Sequence, residues 1–89
     1  MSTTAYHFWS PTCGPCKQIK PAVADLWAEF PAIQFVGVNT HNDQQNISGQ
    51  LNVSVVPTMV VLKDGVEVGR YSGTNITGYY RILQAALKA

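Results

Sequence analysis

The chain has 89 residues, of which 46% are hydrophobic and 12% charged, and its formal net charge is +1. This composition indicates one folded domain over residues 1–89 and gives no electrostatic basis for binding nucleic acid or an anionic membrane surface. No apolar run is long enough to span a bilayer, and the Met1-Ser2-Thr3-Thr4 terminus lacks signal-peptide features, so we expect an intracellular, cytoplasmic and reducing location.

The first predicted element is a short aromatic-rich strand over residues 5–9, buried on both faces. The tripeptide Ser10-Pro11-Thr12 interrupts it, because proline cannot donate to a strand ladder. A helix is predicted to begin near Cys13 to Cys16, with Pro15 in the first turn, where a missing N–H is tolerated.

The two cysteines of the chain, Cys13 and Cys16, therefore lie at a strand-to-helix junction. Unpaired N–H groups at a helix start favour an anion, and the thiolate is the reactive form of cysteine. A bond between these cysteines would close a loop of about four residues, worth only ~2 kcal/mol in the chain-entropy model. The spacing thus predicts a dithiol site that is oxidised and reduced reversibly, rather than a permanent structural disulfide.

The structural alternatives for Cys13 and Cys16 are a pair of packed core cysteines or half of a zinc site. Zinc prefers four ligands, and His7 and His41 are the histidines available to complete a set with Cys13 and Cys16. A strand histidine and a loop histidine do not stand at zinc-finger spacing, so we expect no metal.

The predicted first helix continues to about residue 30 and is amphipathic. Pro21 is expected to kink this helix without ending its pattern, and Pro31 is expected to end it or to lie just beyond its end. Its apolar face, predicted to be core, comprises Ile19, Val23, Leu26, Trp27 and Phe30.

A second strand is predicted over residues 33–38, followed by a polar, turn-like stretch over residues 39–45. A short helix from Asp43 or Gln44 to Leu51 is expected next, although its apolar face is thin. Residues 52–56 are predicted to be extended.

A third strand is predicted over residues 59–62, and Lys63-Asp64-Gly65 is expected to form the turn of a hairpin. The fourth strand contains Val66, Val68 and Arg70 in alternation and is expected near a sheet edge. After a loop over residues 73–75, Thr77 is a candidate N-cap of the last helix. The predicted inner face of that helix comprises Tyr80, Leu83 and Leu87, flanked by Ile76 and Ala86.

The predicted order is therefore βαβαββα, in the α/β class. This order, with Cys13-Gly14-Pro15-Cys16 after the first strand and Val56-Pro57-Thr58 before the third, resembles the thioredoxin family. The resemblance implies the thioredoxin fold, here a four-stranded mixed sheet flanked by helices that lacks a preceding strand and helix. Further matching positions are Phe8, Trp9, Lys17, Pro21, Lys63-Asp64-Gly65 and Gly73.

The resemblance implies a thioredoxin-type protein-disulfide reductase without a bound organic cofactor. Cys13 would be the attacking thiolate and Cys16 the resolving thiol. The implied partners are disulfide-containing protein substrates and a thioredoxin reductase or another thiol reductant, and a monomer is expected.

The resemblance also implies a substrate groove beside the dithiol. The Val56–Pro57 bond would be cis, and the backbone of Val55 and Val56 would pair with an extended substrate segment. The rim and floor of this groove would comprise Trp9, Thr12, Gly14, Pro15 and Gly73.

The sequence departs from the family in three features of the site. His7 stands where the family usually has a buried acid, and it is either a proton relay for Cys16 or a packed strand histidine. Thr12 replaces the usual Trp, which reduces the apolar contact with a partner. Gly37 and Val38 stand where the family often has a buried lysine.

Two other functions are kept as alternatives. The first alternative is a thioredoxin-fold binding module or subunit without essential redox chemistry. The second is a glutaredoxin-like enzyme that uses glutathione. Gly14 and Pro15 between the cysteines favour the thioredoxin branch, since glutaredoxins usually carry Pro-Tyr there.

Overall fold

A computed structural model describes residues 2–88, and its element order confirms the predicted βαβαββα arrangement. Strand boundaries differ from the predicted ones by one or two residues. The elements are β1 (Thr3–Trp9), α1 (Gly14–Glu29), β2 (Gln34–Asn39), α2 (Ile47–Gln50), β3 (Thr58–Lys63), β4 (Val66–Ser72) and α3 (Ile76–Lys88).

The four strands form one mixed sheet in the order β2-β1-β3-β4. Strands β1 and β2 are parallel, whereas β1 pairs antiparallel with β3, and β3 with β4. The fourth strand is an outer strand, as predicted. In this register His7 lies between Gly37 of β2 and Met59 of β3, at the middle of the sheet.

Apolar side chains cover both faces of the sheet, because successive residues of a strand point to opposite faces. One face packs against α1 and α3, and Ala5, Met59 and Val61 are fully buried there. Phe8, Val38 and Val60 form a smaller buried cluster on the other face, where Ile47 and Leu51 pack. The first strand is thus buried on both faces, as expected.

Helix α2 is shorter than predicted, with four residues instead of a segment from residue 43 or 44 to residue 51. Asp43 lies before the helix, and its carboxylate accepts hydrogen bonds from the backbone N–H groups of Ile47 (2.9 Å) and Ser48 (2.8 Å). Asn46 adopts the left-handed conformation with φ 53°, which interrupts the helix on its N-terminal side. The sequence prediction missed this capping turn.

The inner face of α3 is rotated from the predicted one. Tyr79, Leu83 and Ala86 are the buried residues of this helix, whereas Leu87 is 46% exposed and Tyr80 only half-buried. The prediction was correct for Leu83 and wrong for Leu87. Tyr79 is packed in the core, and its hydroxyl donates a hydrogen bond to the carbonyl oxygen of Gly73, before the helix.

The N-terminal cap of α3 also differs from the prediction. The side-chain oxygen of Asn75 accepts a hydrogen bond of 3.0 Å from the backbone N–H of Thr77. Since α3 begins at Ile76, Thr77 lies inside the first turn and Asn75 takes the capping role. The prediction that Thr77 is the N-cap was therefore wrong.

Trp27 is the one residue of the predicted α1 face that is not buried in the core. Its side chain is 40% exposed and stacks on Phe35, with 5.3 Å between ring centroids. Since β2 is an outer strand, no further strand of residues 2–88 lies beside Phe35 to cover the indole. None of the helices in residues 2–88 has both the length and the apolar character needed to cross a lipid bilayer.

Candidate active site

A disulfide joins Cys13 and Cys16 at the N-terminal end of α1. Cys13 is the N-cap residue, with an extended backbone, and its sulfur accepts a hydrogen bond of 3.1 Å from the backbone N–H of Cys16. Pro15 lies in the first turn, where its missing N–H leaves no backbone carbonyl unpaired. The strand-to-helix junction predicted from the sequence is thus the place where the two sulfurs meet.

The electrostatics at this helix end favour a thiolate on Cys13. The first turn of α1 contains no acidic side chain, so nothing there opposes the positive end of the helix dipole. Cys13 and Cys16 are 9% and 5% exposed, which limits the stabilisation that water gives to a thiolate. The N–H of Cys16 supplies a direct hydrogen bond in its place.

His7 is buried on β1, on the sheet face covered by α1 and α3. Burial lowers the pKa of its imidazole from 6.5 to about 4, so the ring is neutral near pH 7. Its Nε2 atom is buried and has no hydrogen-bond partner among residues 2–88. His7 and Cys16 line the same cleft, and the His7 ring meets Tyr79 edge-on at 6.1 Å.

The Val56–Pro57 peptide bond is cis. The loop before it is tied to β3 and β4 through Thr58, whose hydroxyl donates to the carbonyl oxygen of Val55 at 2.7 Å. The same hydroxyl lies 2.7 Å from the hydroxyl of Ser72. The carbonyl of Val55 therefore already has one internal partner, while the Val55 side chain is exposed.

Gly73 lies beside Pro57. The two residues were both expected in the substrate groove, which requires them to be neighbours. The N–H of Gly73 donates to the carbonyl oxygen of Pro57 at 3.1 Å, and Gly73 has a φ of +132°, which favours glycine. The hydroxyl of Tyr79 donates to the carbonyl of Gly73 at 2.6 Å. Sequence reasoning missed Tyr79, although its i, i+4 spacing to Leu83 was a usable signal.

The other predicted groove residues surround the disulfide or the end of β1. Thr12, Gly14 and Pro15 are exposed next to the two cysteines. Trp9 is half-buried at the end of β1, and its carbonyl accepts a hydrogen bond of 2.9 Å from the N–H of Thr40.

No group of metal-binding side chains in residues 2–88 supports the zinc alternative. No three or more His, Cys, Asp and Glu side chains in that part of the chain lie close enough together to hold a metal ion. The sulfurs of Cys13 and Cys16, which such a site needs, are bonded to each other.

Comparisons with known proteins agree with this architecture. The Thioredoxin family model matches residues 3–85. A thioredoxin from Mycoplasma genitalium is 41% identical over 66 residues, which is 74% of this chain and 64% of that protein. A thioredoxin from Echinococcus granulosus is 31% identical over 78 residues, covering 88% of this chain and 72% of that protein.

Solved thioredoxin structures share this fold. The X-ray structure of Fasciola hepatica thioredoxin superposes with a TM-score of 0.86 at 32% identity, covering 93% of this chain and 79% of that one. The chain thus spans between about half and three quarters of the length of the curated relatives it matches.

Proposed function

The chain belongs to the thioredoxin family, and on that basis we propose that it is a thiol-disulfide oxidoreductase that reduces protein disulfides. The observation that carries the proposal is the Cys13–Cys16 disulfide at the start of α1, with the Cys13 sulfur at the N-cap. A sulfur in this position is stabilised as a thiolate and is close enough to its partner to be released from a mixed disulfide.

The proposed cycle starts from the reduced pair. The Cys13 thiolate attacks one sulfur of a substrate disulfide, and the other substrate sulfur leaves as a thiolate that takes up a proton. The Cys16 thiolate then attacks the Cys13 sulfur, so the second substrate sulfur leaves and the Cys13–Cys16 disulfide forms. The substrate gains two electrons and two protons, and the structure represents the oxidised product.

His7 is proposed to accept the proton of Cys16 during the second attack. Two observations support this role: His7 lines the same cleft as Cys16, and its Nε2 has no hydrogen-bond partner in residues 2–88. Burial lowers the pKa of the imidazole to about 4, which weakens it as a base and counts against the role. A neutral imidazole nitrogen is able to accept a proton. Superimposable thiolate titration curves for His7→Ala and the parent protein would instead leave His7 as a packing residue.

The substrate is proposed to lie over the disulfide against the loop that carries the cis Val56–Pro57 bond. The backbone of Val55 and Val56 would pair with an extended substrate segment. The rest of the proposed contact surface comprises Trp9, Thr12, Gly14, Pro15 and Gly73.

The proposed setting follows from the redox cycle. A disulfide that must be opened after each turnover needs a thioredoxin reductase or another thiol donor, and the cytoplasm, where thiols are kept reduced, is the proposed compartment. The protein is proposed to act there as a monomer of one domain over residues 1–89.

Reduction of insulin by dithiothreitol tests the activity. The parent protein should accelerate it, and Cys13→Ser should not. Cys16→Ser should accumulate a mixed disulfide between Cys13 and a substrate, visible as an added mass that a thiol reductant removes. Cys13→Ser is the matched control, because it retains one cysteine but lacks the attacking thiolate.

Two other assay results would favour a different function. A folded parent protein that leaves insulin reduction unchanged would favour a binding module without redox chemistry. Activity confined to a glutathione mixed-disulfide assay would favour a glutaredoxin-like reductase.

A further inference from the structure

Two loops of the proposed substrate groove lie beyond the end of the β3–β4 pairing. Thr58 and Ser72 are the last paired residues at this end, so residues 53–57 and Gly73 lie outside the regular ladder. The N–H of Gly73 donates to the carbonyl oxygen of Pro57 at 3.1 Å, and Pro57 has no N–H to donate in return. The relative position of the two loops therefore depends on where the Gly73 backbone is held.

Gly73 does not fix its own backbone conformation. Its φ of +132° lies in a region that glycine adopts readily and other residues rarely adopt. Glycine also loses more conformational freedom on ordering than any other residue, because it has no Cβ to limit the alternatives. The Gly73 peptide therefore needs a contact from outside the loop to stay in one orientation.

Tyr79 supplies that contact. Its hydroxyl donates a hydrogen bond of 2.6 Å to the carbonyl oxygen of Gly73. Its ring is fully buried and meets the rings of His7 and Tyr71 edge-on, with centroid distances of 6.1 and 5.0 Å. Because the ring cannot swing away without opening the close-packed core, the hydroxyl is a donor at a fixed position.

A loop held in one orientation favours some disulfides over others. A protein disulfide that lies in the proposed groove contacts the loops as well as the Cys13 sulfur, whereas a small aromatic disulfide needs little beyond that sulfur. Ordering a mobile loop during binding costs affinity, and a loop that is already ordered avoids this cost. The benefit goes only to a substrate that is large enough to touch the loops.

We propose that Tyr79 is a positioning residue that gives this protein a preference for protein disulfides over small disulfides. It acts through Gly73 and Pro57 and takes no part in the transfer of electrons. The inference rests on the proposed reductase function and names the substrate class that the groove favours.

Kinetics with a large and a small disulfide test the proposal. Insulin reduction at saturating dithiothreitol, followed over a range of insulin concentrations, gives KM and kcat for a protein disulfide. The rate constant for oxidation of the reduced protein by 4,4′-dithiodipyridine reports on the Cys13 thiolate. In Tyr79→Phe, KM for insulin should rise about three- to tenfold, and tenfold corresponds to about 1.4 kcal/mol. Both kcat and the dithiodipyridine rate constant should match the parent values.

Two control variants separate positioning from stability. Leu83→Val removes a methylene from the same buried face of α3 and should lower Tm, but the leucine makes no hydrogen bond to the loop, so KM should not change. Tyr80→Phe removes a hydroxyl that accepts an exposed hydrogen bond from Gln84, and KM should again be unchanged. Amide exchange at Gly73 should accelerate in Tyr79→Phe and stay near the parent rate in Tyr80→Phe.

An insulin KM that is the same in Tyr79→Phe and the parent protein would overturn the proposal. An equal rise in Leu83→Val would also overturn it, because the effect would then follow stability. A dithiodipyridine rate constant that falls in proportion to kcat/KM would place the change at Cys13 instead. A folded parent protein that does not accelerate insulin reduction would contradict the reductase function itself, whereas an active parent with an unaltered Tyr79→Phe variant would remove only the role of Tyr79.

Discussion

The hydroxyl of Tyr79 donates a hydrogen bond of 2.6 Å to the carbonyl oxygen of Gly73. Gly73 in turn donates its N–H to the carbonyl of Pro57 at 3.1 Å. The fully buried tyrosine thus connects the core beneath α3 to the loop pair that lies at the proposed substrate groove. The Tyr79 ring also contacts His7 and Tyr71 edge-on. One side chain therefore both holds the Gly73 loop by its hydroxyl and packs against His7 by its ring.

Tyr79→Phe should lower the free energy of unfolding by about 1–2 kcal/mol, because it removes this hydrogen bond and leaves the Gly73 carbonyl without that donor. For a domain of this size, each 1 kcal/mol corresponds to a Tm decrease of about 4–8 °C. Urea unfolding measures the change. Tyr80→Phe is the matched control, since the Tyr80 hydroxyl only accepts an exposed hydrogen bond from Gln84 and its loss should cost less than about 0.5 kcal/mol.

His7 should make the stability depend on pH between about 6.5 and about 4. Burial lowers the pKa of His7 in the folded state to about 4, while the unfolded chain retains the ordinary value of 6.5. The unfolded state therefore binds more protons in this window, and stability falls as the pH falls. The free energy of unfolding should have its full value above about pH 6.5 and should be about 3 kcal/mol lower at pH 4.

The measurement for His7 is urea unfolding at several pH values. His7→Phe should flatten the profile between pH 4 and 6.5. His41→Ala removes an exposed histidine and should leave the slope of the parent protein unchanged. A parent protein whose stability is constant across this window would contradict the lowered pKa.

Thr58→Val should loosen the loop that precedes the cis peptide bond. The variant keeps the buried volume but removes the hydroxyl that donates to Val55 and pairs with Ser72, each at 2.7 Å. We expect a loss of about 1–2 kcal/mol in stability and faster amide exchange at Val55 and Val56. Thr58→Ser retains the hydroxyl, so it should keep exchange at Val55 and Val56 near the parent rate even if the lost methyl lowers global stability.

Gly78→Ala should destabilise the protein although alanine is the better helix former. A Cβ at Gly78 would lie 2.5 Å from Cε1 of Tyr71, and that ring is packed against Tyr79. Displacing the ring should cost about 1–3 kcal/mol, more than the gain of up to about 1 kcal/mol in helix propensity. A Cβ at Gly14 meets no atom within 4 Å, so Gly14→Ala should be neutral or slightly stabilising in the same thermal unfolding experiment.

The sequence was sufficient for the element order and the redox motif because both depend on local patterns. The cysteine pair follows an apolar strand and opens a helix, and the structure places both sulfurs at that junction. Strand β4 was correctly placed at an edge because its apolar residues alternate with polar ones. These features need no knowledge of which elements become neighbours in space.

The features that the sequence could not give depend on long-range contacts. The orientation of α3 buries Tyr79, Leu83 and Ala86 in the core and brings the Tyr79 hydroxyl to the Gly73 carbonyl, whereas the apolar spacing alone fitted Tyr80 and Leu87 equally well. The exposure of Trp27 depends on β2 being an outer strand, which a helical pattern does not report. The cleft beside His7 likewise required the register that places Gly37 next to it.

The burial of Met59 has a consequence for a protein whose proposed function depends on the redox chemistry of two other sulfurs. This thioether is fully enclosed at the centre of β3, opposite His7 in the sheet. Oxidation to the sulfoxide would introduce a polar group into the core, whereas a cysteine disulfide is reopened by any suitable thiol. Within residues 2–88, peroxide that reaches the folded protein therefore meets the repairable sulfurs of Cys13 and Cys16 first, and the thioether that supports the core is shielded.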